Sequence, residues 1–440
     1  MRGSAAFRVA VAPGGALAGP WVRNALWTAA RAVPSLDLRF AQNKSLIDDY
    51  SGTNLVTFTR ASTGTFVGSD GLLQSATTNE ARFDHNPTTG ESLGLLVEEA
   101  RTNLITTSEA LANVTGASIT NNTTTAPDGL VTADTLTEDT STGGHSVNSA
   151  SISWAGNTAY TFTFFLKANT RTQANIAFGT SSNWVNGQRN AVFDLSAGTV
   201  IATSGSSVTA SIDPFLNGWY RCRLTATTVA VPVSSAVQTQ MYVSGAASYT
   251  GNGTSGLFFW GAQLEAGAFA TSYIPTTTAT ATRAADVASI TGTAFSSFYN
   301  QTEGTVFGQF LRTASTNSQQ GRVFSFNNGT NTNALEIYQT GASNPSAQIT
   351  ATTSQALWSP SGFTVGTSIK EVLGYQLNNS NASFNGSAQT LDTACNIPTV
   401  TQARIGDRQD GVRNLNGTIQ RLTYWPIRLA DPTLQAITLP

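Results

Sequence analysis

From Ser35 onward the chain reads as short alternating runs. Leu36, Leu38 and Phe40 alternate with Asp37 and Arg39, a period of two that predicts a strand with one buried face. Leu55-Val56-Thr57-Phe58-Thr59 and Thr65-Phe66-Val67 follow, the second closed by the turn Gly68-Ser69-Asp70-Gly71. Thr-rich strands separated by Gly, Asn and Asp turns continue nearly to the end, at intervals of about 8–12 residues. Helical spacing is confined to the two ends. After Pro20, the positions Val22, Leu26, Ala29 and Val33 share one helical face. Near the C-terminus, Asp431-Pro432 reads as an N-cap and a first helical position. The pattern predicts an all-β protein: an N-terminal arm and a small β domain, followed by two β-sandwich (jelly-roll) domains.

The boundaries follow from shifts in residue type. Residues 80–103 are rich in charge, and after 108–115 the chain becomes rich in Thr, Asn and Gly. A second shift is the Thr/Ala stretch at 275–285, which reads as a connector. The expected units are an arm at 1–34, a module at 35–110, a sandwich at 111–275 and a sandwich at 285–440. The arm holds Trp21 and Trp27, large rings that are unfavourable to leave in water, so it reads as a segment that docks on a partner.

Composition narrows the classes. Only 11% of the 440 residues are charged, against about 25% in ordinary soluble domains. Three lysines (Lys44, Lys167, Lys370) are too few for a coiled coil. A net charge of −2 without a basic run argues against nucleic acid as a partner. No stretch reaches the roughly 18 apolar residues that cross a membrane, so no membrane insertion is expected. The apolar start is broken by Arg8 and Pro13-Gly14-Gly15, unlike a secretion signal. Cys222 and Cys395 are too far apart in sequence to form a disulfide framework and read as small buried hydrophobes.

Three constellations carry candidate chemistry. The first runs from Arg82 to Ile105. Asp84-His85-Asn86-Pro87 with Gly90 is a turn, and Glu98, Glu99 and Arg101 follow an apolar strand. Neighbouring residues on a strand face opposite ways, so Glu98 and Glu99 do not form one acid/base pair. Arg82 or Arg101 paired with Glu98 or Asp84 is the expected structural role. Together with FTRAST and GSDGLL, the features RFDH, LGLL-EE and R-TNL make the run 58–104 resemble a module of tailed-bacteriophage structural proteins. That resemblance implies a tail-fibre, spike or capsid-decorating virion protein. It would be made in the host cytoplasm and carried on the extracellular particle, docked to other virion proteins through its arm, as a homotrimer.

The second constellation joins Gly218-Trp219-Tyr220-Arg221-Cys222 to the run 257–267 around Trp260, and to Tyr273-Ile274-Pro275. It resembles a jelly-roll carbohydrate-binding module, with Trp219 and Trp260 in structural places. Sugar binding needs exposed aromatic faces and polar side chains for the hydroxyls. Trp184 in its amide-rich stretch, flanked by Asn183 and Arg189, is the first candidate, followed by Trp154 and Tyr249. The alternative is that each ring closes a core edge.

The third is the C-terminal unit, whose closing run Gly417-Thr418-Ile419 to Tyr424-Trp425 resembles the concanavalin-A/laminin-G-like sandwich. Asp407 and Asp410, with Asn414 and Asn416 nearby, are the candidate oxygens for Ca²⁺, the one cofactor considered. No close pair of carboxylates of the glycosidase kind is legible, so no catalytic residue is assigned and no enzyme is expected. The expected function is adhesion to host surface glycans. The alternative is a secreted polysaccharide-active enzyme with accessory binding modules.

Overall fold

The computed structural model describes residues 24–312, 320–340, 344–364 and 366–440. The protein is all β. Residues 113–266 form a sandwich of two six-stranded antiparallel sheets. In chain-neighbour order the first holds Val208–Pro214, Trp219–Thr227, Ala159–Ala168, Gly256–Ala266, Ala133–Glu138 and Ala117–Thr124. The second holds Thr199–Thr203, Asn190–Asp194, Gln173–Phe178, Val237–Tyr242, His145–Asn148 and Asn113–Thr115. Strand Ala159–Ala168 sends Phe162, Phe164 and Leu166 between the sheets. Phe165 points the other way, into a second cluster with Trp219, Trp260 and Tyr273. Both faces of this strand are buried, which accounts for the apolar run Phe164-Phe165-Leu166 within it.

The second sandwich combines both ends of the chain. One sheet runs Ser387–Ala388, Asn381–Phe384, Ser368–Gln376, Glu303–Arg312, Gly417–Trp425, Ser92–Val97, Phe83–His85. The other runs Thr57–Thr59, Val287–Thr291, Gln402–Ile405, Gly321–Asn327, Asn333–Gln339, Pro345–Ala351, Thr353–Trp358. The 35–110 segment therefore differs from the separate module read in the sequence, because its strands complete both C-terminal sheets. The closing strand Gly417–Trp425 has Glu303–Arg312 along one edge. Its other edge is shared by Leu36–Leu38, opposite Leu422–Tyr424, and by Ser92–Val97, opposite Gly417–Ile419. Gly94 lies at φ +93, where a Cβ would fall 2.1 Å from the Ile419 carbonyl oxygen, so only glycine lets these backbones approach.

The first sandwich is thus an insertion. The chain leaves through Arg101–Asn103 and returns through Ala281–Arg283, and these segments pair antiparallel. The stretch expected as a plain connector contains this strand.

The outer face of the C-terminal sheet is covered by the chain ends. Helix Ala25–Ala30 and helix Asp431–Ile437 pack over Phe307, Val372 and Trp425. Trp27 is buried and its indole N–H donates to Asp37 (2.8 Å). Trp27 and Ala30 are the buried positions, since Asp37 supplies the indole's partner; of the expected face, Leu26 packs half-buried against the same cluster and Ala29 is exposed. Trp21 and Val22 lie outside the described residues, while the described end of the arm packs on its own chain. The C-terminal helix has Ala430 as N-cap, and Asp431 instead pairs with Arg428. No helix among the described residues is long and apolar enough to cross a membrane.

One core position departs from the pattern. Glu371 lies on strand Ser368–Gln376 between Ile369 and Leu373, which face the sandwich core. It is wholly buried, and neither carboxyl oxygen has a hydrogen-bond partner. Burial pushes its pKa well above the ordinary value, so it is folded in as the neutral acid. An unfolded chain loses that proton near pH 4.5, so stability falls as pH rises above that value. Glu371→Gln removes this slope. Denaturant titrations should show the variant gaining on the wild type by about 1.4 kcal/mol per pH unit above pH ~4.5. Parallel pH profiles would contradict a neutral Glu371.

Candidate functional site

A buried ion cluster sets the inserted sandwich against the rest. Arg82 is fully buried and lies 2.9 Å from Glu98 and 2.5 Å from Asp286. Arg60 meets the other Asp286 oxygen at 3.1 Å, and Arg283 meets Glu98 at 2.5 Å. Ser272, on the inserted unit's exit, donates to Glu98 through both its N–H and its hydroxyl (2.7 Å each). Burial alone would raise the Glu98 pKa, but Arg283, Arg82 and the Ser272 bonds outweigh it and hold it at about 2. Glu99 points the opposite way, to Arg101 (2.6 Å) and Asn416 (3.1 Å). Asp84 accepts the Val67 N–H at 2.7 Å. Trp219 and Trp260 are buried, donating to the Thr125 carbonyl (2.9 Å) and the Thr132 hydroxyl (3.1 Å).

The two tryptophan sugar candidates are corrected by their surroundings, while Tyr249 is half-buried. Trp184 is 1% exposed, stacks on Phe178 at 4.1 Å and donates to the Gly179 carbonyl (2.9 Å). Trp154 packs edge-on against Trp184 at 5.0 Å and donates to Ser235 (2.9 Å). Asn183 is buried and clamps the Val233 backbone, donating to its carbonyl (2.6 Å) and accepting from its N–H (2.9 Å). Arg189 caps the Phe178 carbonyl. The Tyr249 hydroxyl donates to Glu138 (2.8 Å), beside Arg171 and the His145 ring. The indoles close the core because their single N–H groups find partners inside the protein.

Register places a different set of residues on one surface. In the second sheet, Ala174, Ile176, Phe178, Ala191, Phe193, Val237, Met241 and Val147 face the core. Their alternates lie on the other face, where Ser146, Asn175, Ala177 and Val192 are buried and Asn148, Gln238, Gln240 and Asn190 are half-buried. Asn113, Asn148, Gln238, Ala177 and Asn190 lie in one row across five strands. Thr115, Ser146, Gln240, Asn175 and Val192 form the next. Tyr242 and Gln173 begin a third. At about 4.8 Å per strand this surface is roughly 20 Å wide.

The amides are held by their NH2 groups. Asn190 donates to Asn175 (2.9 Å), Gln238 to Ser146 (3.0 Å), Gln240 to the Ala247 carbonyl (2.6 Å) and Asn148 to the Asn113 carbonyl (3.2 Å). Their carbonyl oxygens are left as preset acceptors. Tyr242 is half-buried, and burial raises its pKa, so its hydroxyl stays neutral. The two central rows contain no charged side chain. The signal in the sequence is the alternation Gln238-x-Gln240-x-Tyr242.

Asp407 and Asp410 do not form a cation site. Asp407 is buried and paired with Arg404, and Asp410 is paired with Arg408. Asn416 is occupied by Glu99. Among the described residues no group of three or more His, Cys, Asp or Glu could hold a metal ion.

No protein-family model matches the chain, and no curated protein matches it. Solved structures do. The CBM40 of the Ruminococcus gnavus IT-sialidase, bound to α2,3 sialyllactose, is 17% identical over 32% of this chain and 84% of its own, with a TM-score of 0.28. The NanB sialidase of Streptococcus pneumoniae is 15% identical over 34% of this chain and 26% of its own, with a TM-score of 0.29. The Trypanosoma rangeli sialidase is 9% identical over 70% of this chain and 60% of its own, with a TM-score of 0.28. The expectation that the chain is not an enzyme is corrected here, since two of these three chains are sialidases and the exclusion no longer stands. At these scores the matches assign neither binding nor catalysis to this chain.

Proposed function

We propose that the chain is a glycan-binding structural protein of a tailed-phage particle, and that the amide face of the inserted sandwich is its contact with host surface glycans. The observation that carries the binding is the set of carbonyl acceptors on Asn148, Asn190, Gln238 and Gln240 beside the Tyr242 ring. Sugar hydroxyls donate to such oxygens, and a sugar C–H face packs on a half-buried aromatic ring. The virion assignment is supported by the resemblance of residues 58–104 to the phage module. In a homo-oligomer on a particle, several weak faces would act together and raise avidity by orders of magnitude.

The test is binding of the full chain to an array of neutral host-envelope polysaccharides. Gln240→Ala with Tyr242→Ala should weaken binding about tenfold or more, on the order of 1.4 kcal/mol. Affinity should change little between about 50 and 500 mM salt, because the two amide rows are neutral and Asp194 stands apart from them, in the third row beyond Gln173. Undiminished binding by the double variant would sink this face as the site. Shortening of the bound polysaccharide in the same assay would move the assignment to a polysaccharide-active enzyme.

A further inference from the structure

An apolar patch lies where the turn at 68–71 meets the loop at 126–130 of the inserted sandwich. Leu130 and Val131 are 60% and 59% exposed. Leu72 packs on Gly129, where a Cβ would fall 3.0 Å from its Cδ1, and Leu216 packs on Gly71, where a Cβ would fall 2.6 Å from its Cδ1. Both of these leucines are half-buried. The loop is held in place. The Leu73 N–H donates to the Pro127 carbonyl (3.0 Å), the Ala126 N–H to the Leu130 carbonyl (2.8 Å) and the Leu130 N–H to Asp128 (3.0 Å).

Carboxylates surround the patch. Asp70 accepts the Leu72 N–H (3.1 Å) and Asp134 accepts the Asn122 N–H (2.9 Å). Glu109 accepts the Tyr273 hydroxyl (2.9 Å). Burial raises the Glu109 pKa, and the nearby Asp128 and Asp134 raise it further. Among the described residues Asp70, Glu109, Asp128 and Asp134 form no ion pair. The cations beside the same aromatic cluster are Lys167 over Trp219 and Arg221 over Phe165, with Arg223 next to them. Arg223 is paired with Asp213, and Arg221 is offset by Glu265. The balance of this surface is therefore negative.

Residues 1–23 have the opposite character. They carry Arg2, Arg8 and Arg23, no Asp or Glu, and the apolar Phe7, Val9, Val11, Leu17, Trp21 and Val22. We propose that the patch receives residues 1–23 of a neighbouring copy of this chain, with apolar side chains on Leu72, Leu130, Val131 and Leu216 and arginines beside Asp70 and Asp128. Exposed apolar groups ringed by charge mark a protein contact, and the sign of the charge selects the partner. Twenty-three residues reach up to about 75 Å, enough to pass between neighbours. Helix Ala25–Ala30 stays on its own chain, so the contact runs head to tail, which closes a ring where the rotation permits. The inference is independent of the glycan reading, and its test uses no glycan.

Sedimentation of the full chain should show association by about 100 µM, weaker at about 500 than at about 50 mM salt. Leu130→Ser with Val131→Ser removes the patch, and Arg2→Glu with Arg8→Glu and Arg23→Glu reverses the arm. Each variant alone should be a monomer. Their equimolar mixture should form a 1:1 complex, since one supplies the arm and the other the patch. A labelled peptide of residues 1–23 should bind the arm variant, and bind the patch variant about tenfold or more weakly. Asp70→Lys should weaken the peptide by a similar factor, and it decides the matter if the patch variant does not fold. The proposal is overturned if the full chain stays a monomer, if either folded variant associates like the wild type, or if the mixture does not pair. A monomeric chain whose arm cross-links to its own patch would place the contact within one copy and overturns it equally.

Discussion

A chain that begins at residue 108 is expected to lose its C-terminal sandwich while keeping the inserted one. The reason is the shared edge of Gly417–Trp425. Without Leu36–Leu38 and Ser92–Val97 that edge has no partner. The opposite sheet also loses its outermost strand, Thr57–Thr59. Leu36, Leu38, Val56, Phe58, Leu95 and Val97 all leave the C-terminal core. At about 1.5–3 kcal/mol each, their removal forfeits roughly 9–18 kcal/mol. That equals the roughly 5–15 kcal/mol that stabilises an entire domain. The inserted sandwich draws its twelve strands from residues 113–266 and does not depend on them. Limited proteolysis of the truncated chain should leave a resistant core inside 108–275 and degrade the remainder. A resistant, cooperatively unfolding C-terminal fragment would contradict this account.

Asp286→Ala is expected to be the most damaging single substitution, at about 3–5 kcal/mol. Asp286 is fully buried between Arg60 and Arg82, and it also accepts the Glu98 N–H (2.9 Å). Three arginines (Arg60, Arg82, Arg283) share two carboxylates (Asp286, Glu98), so removing one carboxylate leaves two uncompensated positive charges in a dry place. Equilibrium denaturation should show the loss. Asp286→Ala combined with Arg60→Met should recover part of it, because an apolar replacement of both partners avoids a stranded charge. A loss below about 1 kcal/mol, the scale of an exposed pair, would mean the cluster is hydrated. Acid should weaken the same joint. Glu98 is held below its unfolded pKa, so its contribution is present above pH ~4.5 and is lost as pH falls toward 2.

Local alternation determines which residues share a face of a strand, and that much was legible. Leu36 and Leu38 were readable as one buried row, and Glu98 and Glu99 as opposed neighbours. The opposition holds because successive side chains on an extended backbone alternate. The all-β class was legible too, and so was the turn, although it begins at Asn86 because Asp84 and His85 belong to the strand before it.

What alternation leaves open is which of two faces is covered, and by what. Trp184 lies in an amide-rich polar stretch, yet it packs between Phe178 and Trp154 in the core. Strand partners are equally silent in the sequence. Leu36–Leu38 and Gly417–Trp425 are separated by nearly the whole chain, and no local pattern announces that they pair. The low charge shows the same division. The sequence by itself determined that charge is scarce and gathers between residues 80 and 103. That two of them, Arg82 and Glu98, form a buried joint depends on the fold, because Arg60, Arg283 and Asp286 come to it from elsewhere in the chain. Only the tertiary structure, too, put Asn148, Asn190, Gln238 and Gln240 on one surface. Burial and strand order depend on contacts between distant segments, and a one-dimensional pattern does not contain them.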